Sequence, residues 1–245
     1  AIKQKPVNLN TIKAQGNSRI STGIEEFDRV LGGGATKRSA ILLGGDPGIG
    51  KSTLLLQTLS SISNQTPSTL LYISGEESAA QIKERADRLG LKTDGIQILC
   101  TNRLEDSLDA MDALKPSFII IDSIQTIYSA ETGIIPGTVN QLKYCANEFI
   151  SWVKERDSVL IMTAHVTKEG SIAGPKSLEH MVDTVISFER NADDIRFLHA
   201  QKNRFGSVDE IGIFSMTEKG LIPVQDPSSL FLTKRNALQP AGVVC

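Results

Sequence analysis

Residues Gly45 to Ser52 read Gly-Asp-Pro-Gly-Ile-Gly-Lys-Ser, the G-x-x-x-x-G-K-S spacing of a phosphate-binding loop. An apolar run, Ala40 to Leu43, precedes it and a helix-forming run, Thr53 to Leu59, follows, which is the context such a loop needs. The chemistry rests on backbone. Glycines let successive N–H groups turn inward onto a β-phosphate, and the helix starting near Lys51 aims its positive end at the same anion. Lys51 is then placed to reach the β and γ oxygens, and Ser52 to ligate Mg²⁺. Gly45, Asp46, Pro47, Gly48, Ile49, Gly50, Lys51, Ser52 and Thr53 are the expected nucleotide-binding set, with a nucleoside triphosphate and Mg²⁺ as the expected ligands.

Two acidic positions complete a hydrolytic site. Phe118-Ile119-Ile120-Ile121-Asp122 is an apolar strand ending in an acid, about 70 residues past the phosphate loop. Asp122 is expected at the carboxyl edge of the sheet as the second Mg²⁺ contact, through water. At Tyr72-Ile73-Ser74-Gly75-Glu76-Glu77 another apolar strand runs out, expected beside the phosphate-loop strand. Glu76, nearer the strand end, is the candidate to orient or deprotonate an attacking water; Glu77 reads as opening the next helix, where acids favour the dipole.

Lys202 and Arg204 stand at alternate positions after an apolar strand, so on an extended chain both point to one side. Two uses are open: a solvated or DNA-facing pair, or a pair crossing a subunit boundary to the γ-phosphate of a neighbour's ATP. The second is worth about 10³ to 10⁵ in rate where it occurs. His165 ends the strand expected to neighbour Asp122 and reads as a strand-end histidine exposed to water. His180 and His199 have no metal-ligand spacing.

The elements that must position these groups follow from periodicity. Ile24, Phe27, Val30 and Leu31 recur at helical spacing behind Thr22-Gly23-Ile24-Glu25, which has the spacing of a capping box. After the phosphate loop the expected order is strand Leu70 to Ile73, helix Ala79 to Leu89, strand Ile96 to Leu99, helix Leu104 to Leu114 and strand Phe118 to Ile121. A helix from Val139 to Lys154 and a strand from Val159 to Thr163 come next. Three β-rich runs (Thr184 to Phe188, Arg196 to Ala200, Glu210 to Phe214) then follow with connections too short for helices, and are expected antiparallel at one edge. Such alternation implies an α/β fold with a mostly parallel central sheet flanked by helices. Residues 1–20 read as an N-terminal linker or arm, 21–225 as the ATPase domain, and 226–245 as a C-terminal linker toward a further domain of a longer protein.

With 245 residues, 40% hydrophobic and 22% charged, the chain has the makings of one large core. A net charge of −2 excludes a generally basic nucleic-acid binder, so any contact with nucleic acid must come from local lysines and arginines. Cys100, Cys145 and Cys245 form no C-x-x-C pair, which argues against a zinc ribbon or disulfide framework and fits a reducing cytoplasm. No apolar run approaches the roughly 20 residues of a membrane span.

Taken together, Ser21-Thr22-Gly23-Ile24, Gly44 to Thr53, Ile73 to Ser78, Ile121 to Thr126 and Lys202-Asn203-Arg204-Phe205-Gly206 resemble the bacterial RadA (Sms) family of RecA-like DNA-repair ATPases, over roughly residues 18 to 232. The resemblance implies a RecA-like P-loop core in a hexameric, DnaB-like ring: a DNA-dependent ATPase of homologous recombination that acts on single-stranded DNA and promotes branch migration. It implies a role in hydrolysis for Lys202 and Arg204, and a γ-phosphate sensor at His165. It also implies channel-lining loops at Ser129 to Thr138 and Val166 to Lys176, where Lys168 and Lys176, with Lys143 behind them, would follow the DNA backbone. The family's usual four-cysteine zinc module and Lon-like domain have no counterpart in these residues. Ala35-Thr36-Lys37-Arg38-Ser39 replaces the family's usual proline-glycine turn. The alternative is a switch similar to KaiC, whose rings use ATP for slow regulation without moving along DNA.

Overall fold

The computed structural model describes residues 8–11, 18–65, 68–131, 138–165, 177–191 and 194–224. Its elements are β1 (Arg19–Ile20), α1 (Glu25–Leu31), β2 (Ala35–Thr36), β3 (Ser39–Gly45), α2 (Lys51–Gln65), β4 (Leu70–Ser74), α3 (Ala79–Arg88), β5 (Ile96–Cys100), α4 (Leu104–Leu114) and β6 (Phe118–Asp122). There follow α5 (Val139–Lys154), β7 (Val159–His165), α6 (Ser177–Met181), β8 (Thr184–Arg190), β9 (Ile195–Asn203), β10 (Ile211–Thr217) and β11 (Gly220–Pro223). No described helix is long and apolar enough to cross a membrane.

Nine strands form one sheet in the order β11-β10-β9-β8-β3-β7-β6-β4-β5. From β8 to β5 all pairings are parallel, and β9, β10 and β11 add antiparallel strands at one edge. Period-two alternation on strands buried on both sides divides the apolar residues between two cores. Ile41, Leu43 and Ile120 meet Phe27 of α1, Leu55 of α2 and Ile82 of α3, whereas Leu42, Ile119 and Ile121 meet Met111 of α4 and Phe149 and Val153 of α5. Each such side chain contributes about 1.5–3 kcal/mol by leaving water.

Four expectations are corrected. First, β4 does not adjoin the phosphate-loop strand: β7 and β6 stand between β3 and β4, because crossover connections let the chain skip positions it later fills. Second, the antiparallel edge holds one strand more than expected: β8 pairs antiparallel with β9 and β9 with β10, as the pattern implies, while β8 also runs parallel to β3 and the short β11, which the pattern does not mark, pairs with β10. Third, α1 carries no capping box. Its N-cap is Ile24 with no side-chain bond, while Asp28 reaches back to accept from the Thr22 N–H at 2.8 Å and the Ser21 hydroxyl at 2.6 Å. Fourth, pairing begins at Arg19, two residues ahead of the expected boundary. Its guanidinium donates to the carbonyls of Leu31, Gly34 and Phe205.

The turn before β3 is formed without glycine. Arg38 sits at φ 60°, a left-handed conformation that costs an L-residue about 1 kcal/mol, and its ion pair with Asp157 joins two exposed side chains. Arg38→Gly is therefore expected to raise the thermal midpoint by about 1–3 °C despite losing that pair. Differential scanning calorimetry checks this, and a lowered midpoint would show that the ion pair outweighs the backbone term.

Candidate active site

The phosphate loop leaves β3 at Gly45. Glycine is required there because a Cβ would lie 2.6 Å from the Phe188 carbonyl oxygen on β8. At Gly50 the backbone adopts φ 117°, open to glycine alone at little cost, and α2 begins at the next residue. Lys51 is only 5% exposed, and its ammonium donates to the carbonyls of Gly45 at 2.7 Å and Asp46 at 3.0 Å. Burial pushes its pKa below the usual lysine value, opposed by the negative charges of Asp122, Glu76 and Asp46. Of those acids, Asp122 and Glu76 line the same cleft as Lys51.

Asp122 ends β6 with its carboxylate held on both sides: the Thr163 hydroxyl donates to Oδ1 at 2.5 Å, and the Tyr72 hydroxyl donates to Oδ2 at 2.5 Å. Burial, then the charge of Asp122, keeps the Tyr72 hydroxyl protonated well above the usual tyrosine range. Glu76 lies in the turn after β4, where the Ser123 hydroxyl donates to Oε1 at 2.6 Å and His165 Nε2 lies 3.1 Å from the same oxygen. The His165 N–H donates to Gln125 Oε1 at 3.0 Å, and in the β3–β7 ladder His165 stands directly opposite Gly45. One cleft of about 360 Å³ is lined by Gly50, Lys51, Ser52, Thr53, Glu76, Asp122 and His165, together with Glu77, Arg85, Arg88 and Met216.

Glu77 differs from its neighbour. Its two oxygens accept from the two terminal nitrogens of Arg85, a bidentate pair that neutralises it. Neither glutamate is needed to open α3, whose N-cap is Ser78 in a reciprocal capping box with Gln81. Glu76 is thereby left with an acceptor oxygen in a lysine-bearing cleft, the requirement for polarising a water.

The donor set fits Mg²⁺. A carboxylate offers about four lone-pair positions and Asp122 has two in use, while Ser52 contributes a hydroxyl to the same cleft. Among the described residues no group of three or more His, Cys, Asp or Glu is arranged to hold a metal ion by itself.

Lys202 and Arg204 lie elsewhere. Thr184, at the start of β8, pairs with Ile41 of β3 and with Asn203 of β9, whereas Gly45 pairs with Phe188. The basic pair therefore sits near the amino ends of the parallel strands, four strand residues or about 13 Å from their own phosphate loop. Lys202 donates to the carbonyls of Glu179 at 2.8 Å and Val182 at 2.7 Å, closing the end of α6. Burial, then the charge of Arg204, pushes its pKa down. Arg204 donates to Asp183 at 3.3 Å; that buried carboxylate also accepts from Lys154 at 2.6 Å and from the Ala40 N–H at 3.0 Å.

Lys143 is half-buried on α5 and does not line the cleft. Lys168 and Lys176 lie outside the described residues. His180 is exposed, and His199 Nε2 lies 3.8 Å from Glu189. Sequence reasoning missed Ser123, whose hydroxyl holds Glu76, and Thr163 and Tyr72, whose hydroxyls hold Asp122, as well as the buried Arg196, whose Nε donates to the Ile49 carbonyl in the loop. Ser123 and Thr163 follow or face a strand-end acid, which is the one local signal they carry; Tyr72 and Arg196 look like ordinary strand residues.

The family model described as "ATPase: KaiC" matches residues 20–98. A DNA repair protein RadA of Treponema pallidum is 61% identical over 234 residues, covering 96% of this chain and 50% of that protein. RadA of Bacillus subtilis is 48% identical over 235 residues, covering 96% of this chain and 51% of that protein. The chain thus spans about half the length of the curated relatives it matches. A crystal structure of a KaiC-like protein of Pyrococcus horikoshii superimposes with a TM-score of 0.70, covering 85% of this chain and 99% of that chain at 19% identity, which shows the RecA-like fold.

Proposed function

Since this chain belongs through its RecA-like core to the RadA family of DNA-repair ATPases, we propose that it hydrolyses ATP as a ring-forming, DNA-stimulated motor of repair and homologous recombination. The observation that carries this reading is a separation: every group needed to bind the triphosphate and aim a water shares one cleft, whereas the basic pair Lys202 and Arg204 stands at the other end of the sheet. A cleft built in this way is completed by a second copy, the arrangement a ring repeats.

In this reading the backbone N–H groups of the loop and Lys51 bind the β- and γ-phosphates, and Ser52 and Asp122 would hold Mg²⁺, which would supply neutralisation of the charge developing on the phosphates. Glu76, oriented by Ser123, takes up the proton of the attacking water or fixes its lone pair toward phosphorus. His165 touches Glu76 and stands beside Gly45, so it senses the γ-phosphate and leads into residues 166–176. Lys168 and Lys176, with Lys143, follow the phosphates of single-stranded DNA by charge without reading sequence. We take the ring as hexameric and DnaB-like, branch migration as its output and the cytoplasm as its place. Residues 1–18 and 226–245 are read as connections to neighbouring parts, with 19–225 as the motor core.

Steady-state phosphate release with Mg²⁺-ATP, with and without single-stranded DNA over a range of protein concentrations, tests this. Stimulation by DNA that grows with protein concentration is expected. A slow rate indifferent to DNA, at concentrations where DNA is bound, overturns the motor and favours a KaiC-like switch.

A further inference from the structure

Arg196 is a buried cation that the chemistry above does not use. It lies on β9 opposite Arg190 of β8 and Phe214 of β10, and only 6% of its side chain is exposed. Burying a guanidinium is costly unless its donors find acceptors. Here Nε donates to the Ile49 carbonyl at 2.8 Å, Nη1 donates to the Asp194 carbonyl at 2.9 Å, and Nη2 lies 3.6 Å from the Asp194 carboxylate. The first of these bonds reaches the middle of the phosphate loop from beneath.

A trans peptide is planar, with its C=O and N–H pointing in opposite directions. Fixing the Ile49 carbonyl against Arg196 therefore turns the N–H of Gly50 away from the sheet, on the side where Gly50 lines the cleft. At φ 117° Gly50 has no side chain to hold that peptide in place, so the orientation needs an outside anchor. We infer that Arg196 is a positioning residue for the phosphate loop, which keeps the Gly50 N–H aimed at the β-phosphate of a bound nucleotide. Its positive charge lies just behind the loop and adds to the field there. The inference rests on the ATP-binding reading of this cleft.

The test is binding of fluorescent Mg²⁺-ADP and steady-state ATP kinetics for the wild-type chain, Arg196→Met and Arg196→Lys, with urea midpoints to mark the folded range. A β-phosphate donor is engaged in ground and transition states alike, so its loss raises KM rather than lowering kcat. Arg196→Met is expected to weaken ADP binding about 10- to 100-fold and to raise KM in step, with kcat within about threefold. Arg196→Lys keeps the charge but cannot hold Ile49 and Asp194 together, so it is expected to recover part of the affinity. If the methionine chain fails to fold, a rise of at least about threefold in the lysine chain carries the inference. Binding unchanged in the folded variants, or a fall in kcat with KM unmoved, overturns it while leaving the ATP reading intact. A wild-type chain that does not bind Mg²⁺-ADP removes both.

Discussion

Arg204→Ala is expected to lower ATP turnover by about 10³- to 10⁵-fold, the range for losing a cation that meets phosphoryl-transfer charge, while nucleotide affinity stays near wild type. Charge in that transition state spreads over the equatorial phosphate oxygens, so a guanidinium arriving from outside the cleft stabilises it far more than the bound ground state. The folded chain should tolerate the change, because Arg204 is 54% exposed on its side chain and makes only a 3.3 Å bond to Asp183, a carboxylate still held by Lys154 and Ala40. The decisive version mixes chains. Arg204→Ala retains an intact cleft and Glu76→Gln retains an intact basic pair, so each supplies what the other lacks. In a randomly mixed assembly about one junction in four joins a sound cleft to a sound arginine, and turnover should recover to about a quarter of wild type. Phosphate release from the mixture measures it. If the mixture is no more active than its parts, Arg204 does not act across a boundary.

Glu76→Gln is the second large effect: turnover is expected to drop about 10²- to 10⁴-fold with ATP binding retained. Glutamine keeps the shape and still accepts the Ser123 hydroxyl bond at Oε1, so what is lost is the carboxylate's basicity and charge. Replacing Glu76 also removes one of the negative charges that raise the pKa of Lys51, leaving burial of that ammonium less opposed. Single-turnover hydrolysis beside equilibrium nucleotide binding separates the chemical step from affinity. Turnover within tenfold of wild type would move the water-positioning role elsewhere, with His165 the next group in reach of the same oxygen.

Local pattern carried most of the element reading. The helices Leu104–Leu114 and Val139–Lys154 coincide with their apolar periodicity, and the phosphate loop was readable because its function depends on backbone that only a fixed run of glycines allows. Spatial order was not readable. Glu76 seemed close to the loop through an assumed strand neighbour, yet β4 is third from β3, and the residue comes near because turns at the ends of several strands converge. The capping motif misled in the same way: Thr22 and Glu25 have the right spacing, but Asp28 captured the Thr22 N–H first, while the working box formed at Ser78 and Gln81. Ser123, Tyr72 and Arg196 owe their roles to partners 47, 50 and 147 positions away, and no window of local sequence contains such pairs.

The register that parts Arg204 from Gly45 also constrains how such a chain can move. Both ends belong to one hydrogen-bonded ladder, β9 on β8 on β3, and stretching or shearing that ladder by even one residue would break several bonds at once. Within one copy, the end that bears Arg204 and the end that bears the phosphate loop would then behave as the two tips of a stiff rod. In the ring proposed above, a stroke would arise where rods meet, as a change of angle at the joints, with subunits pivoting about cores that do not bend.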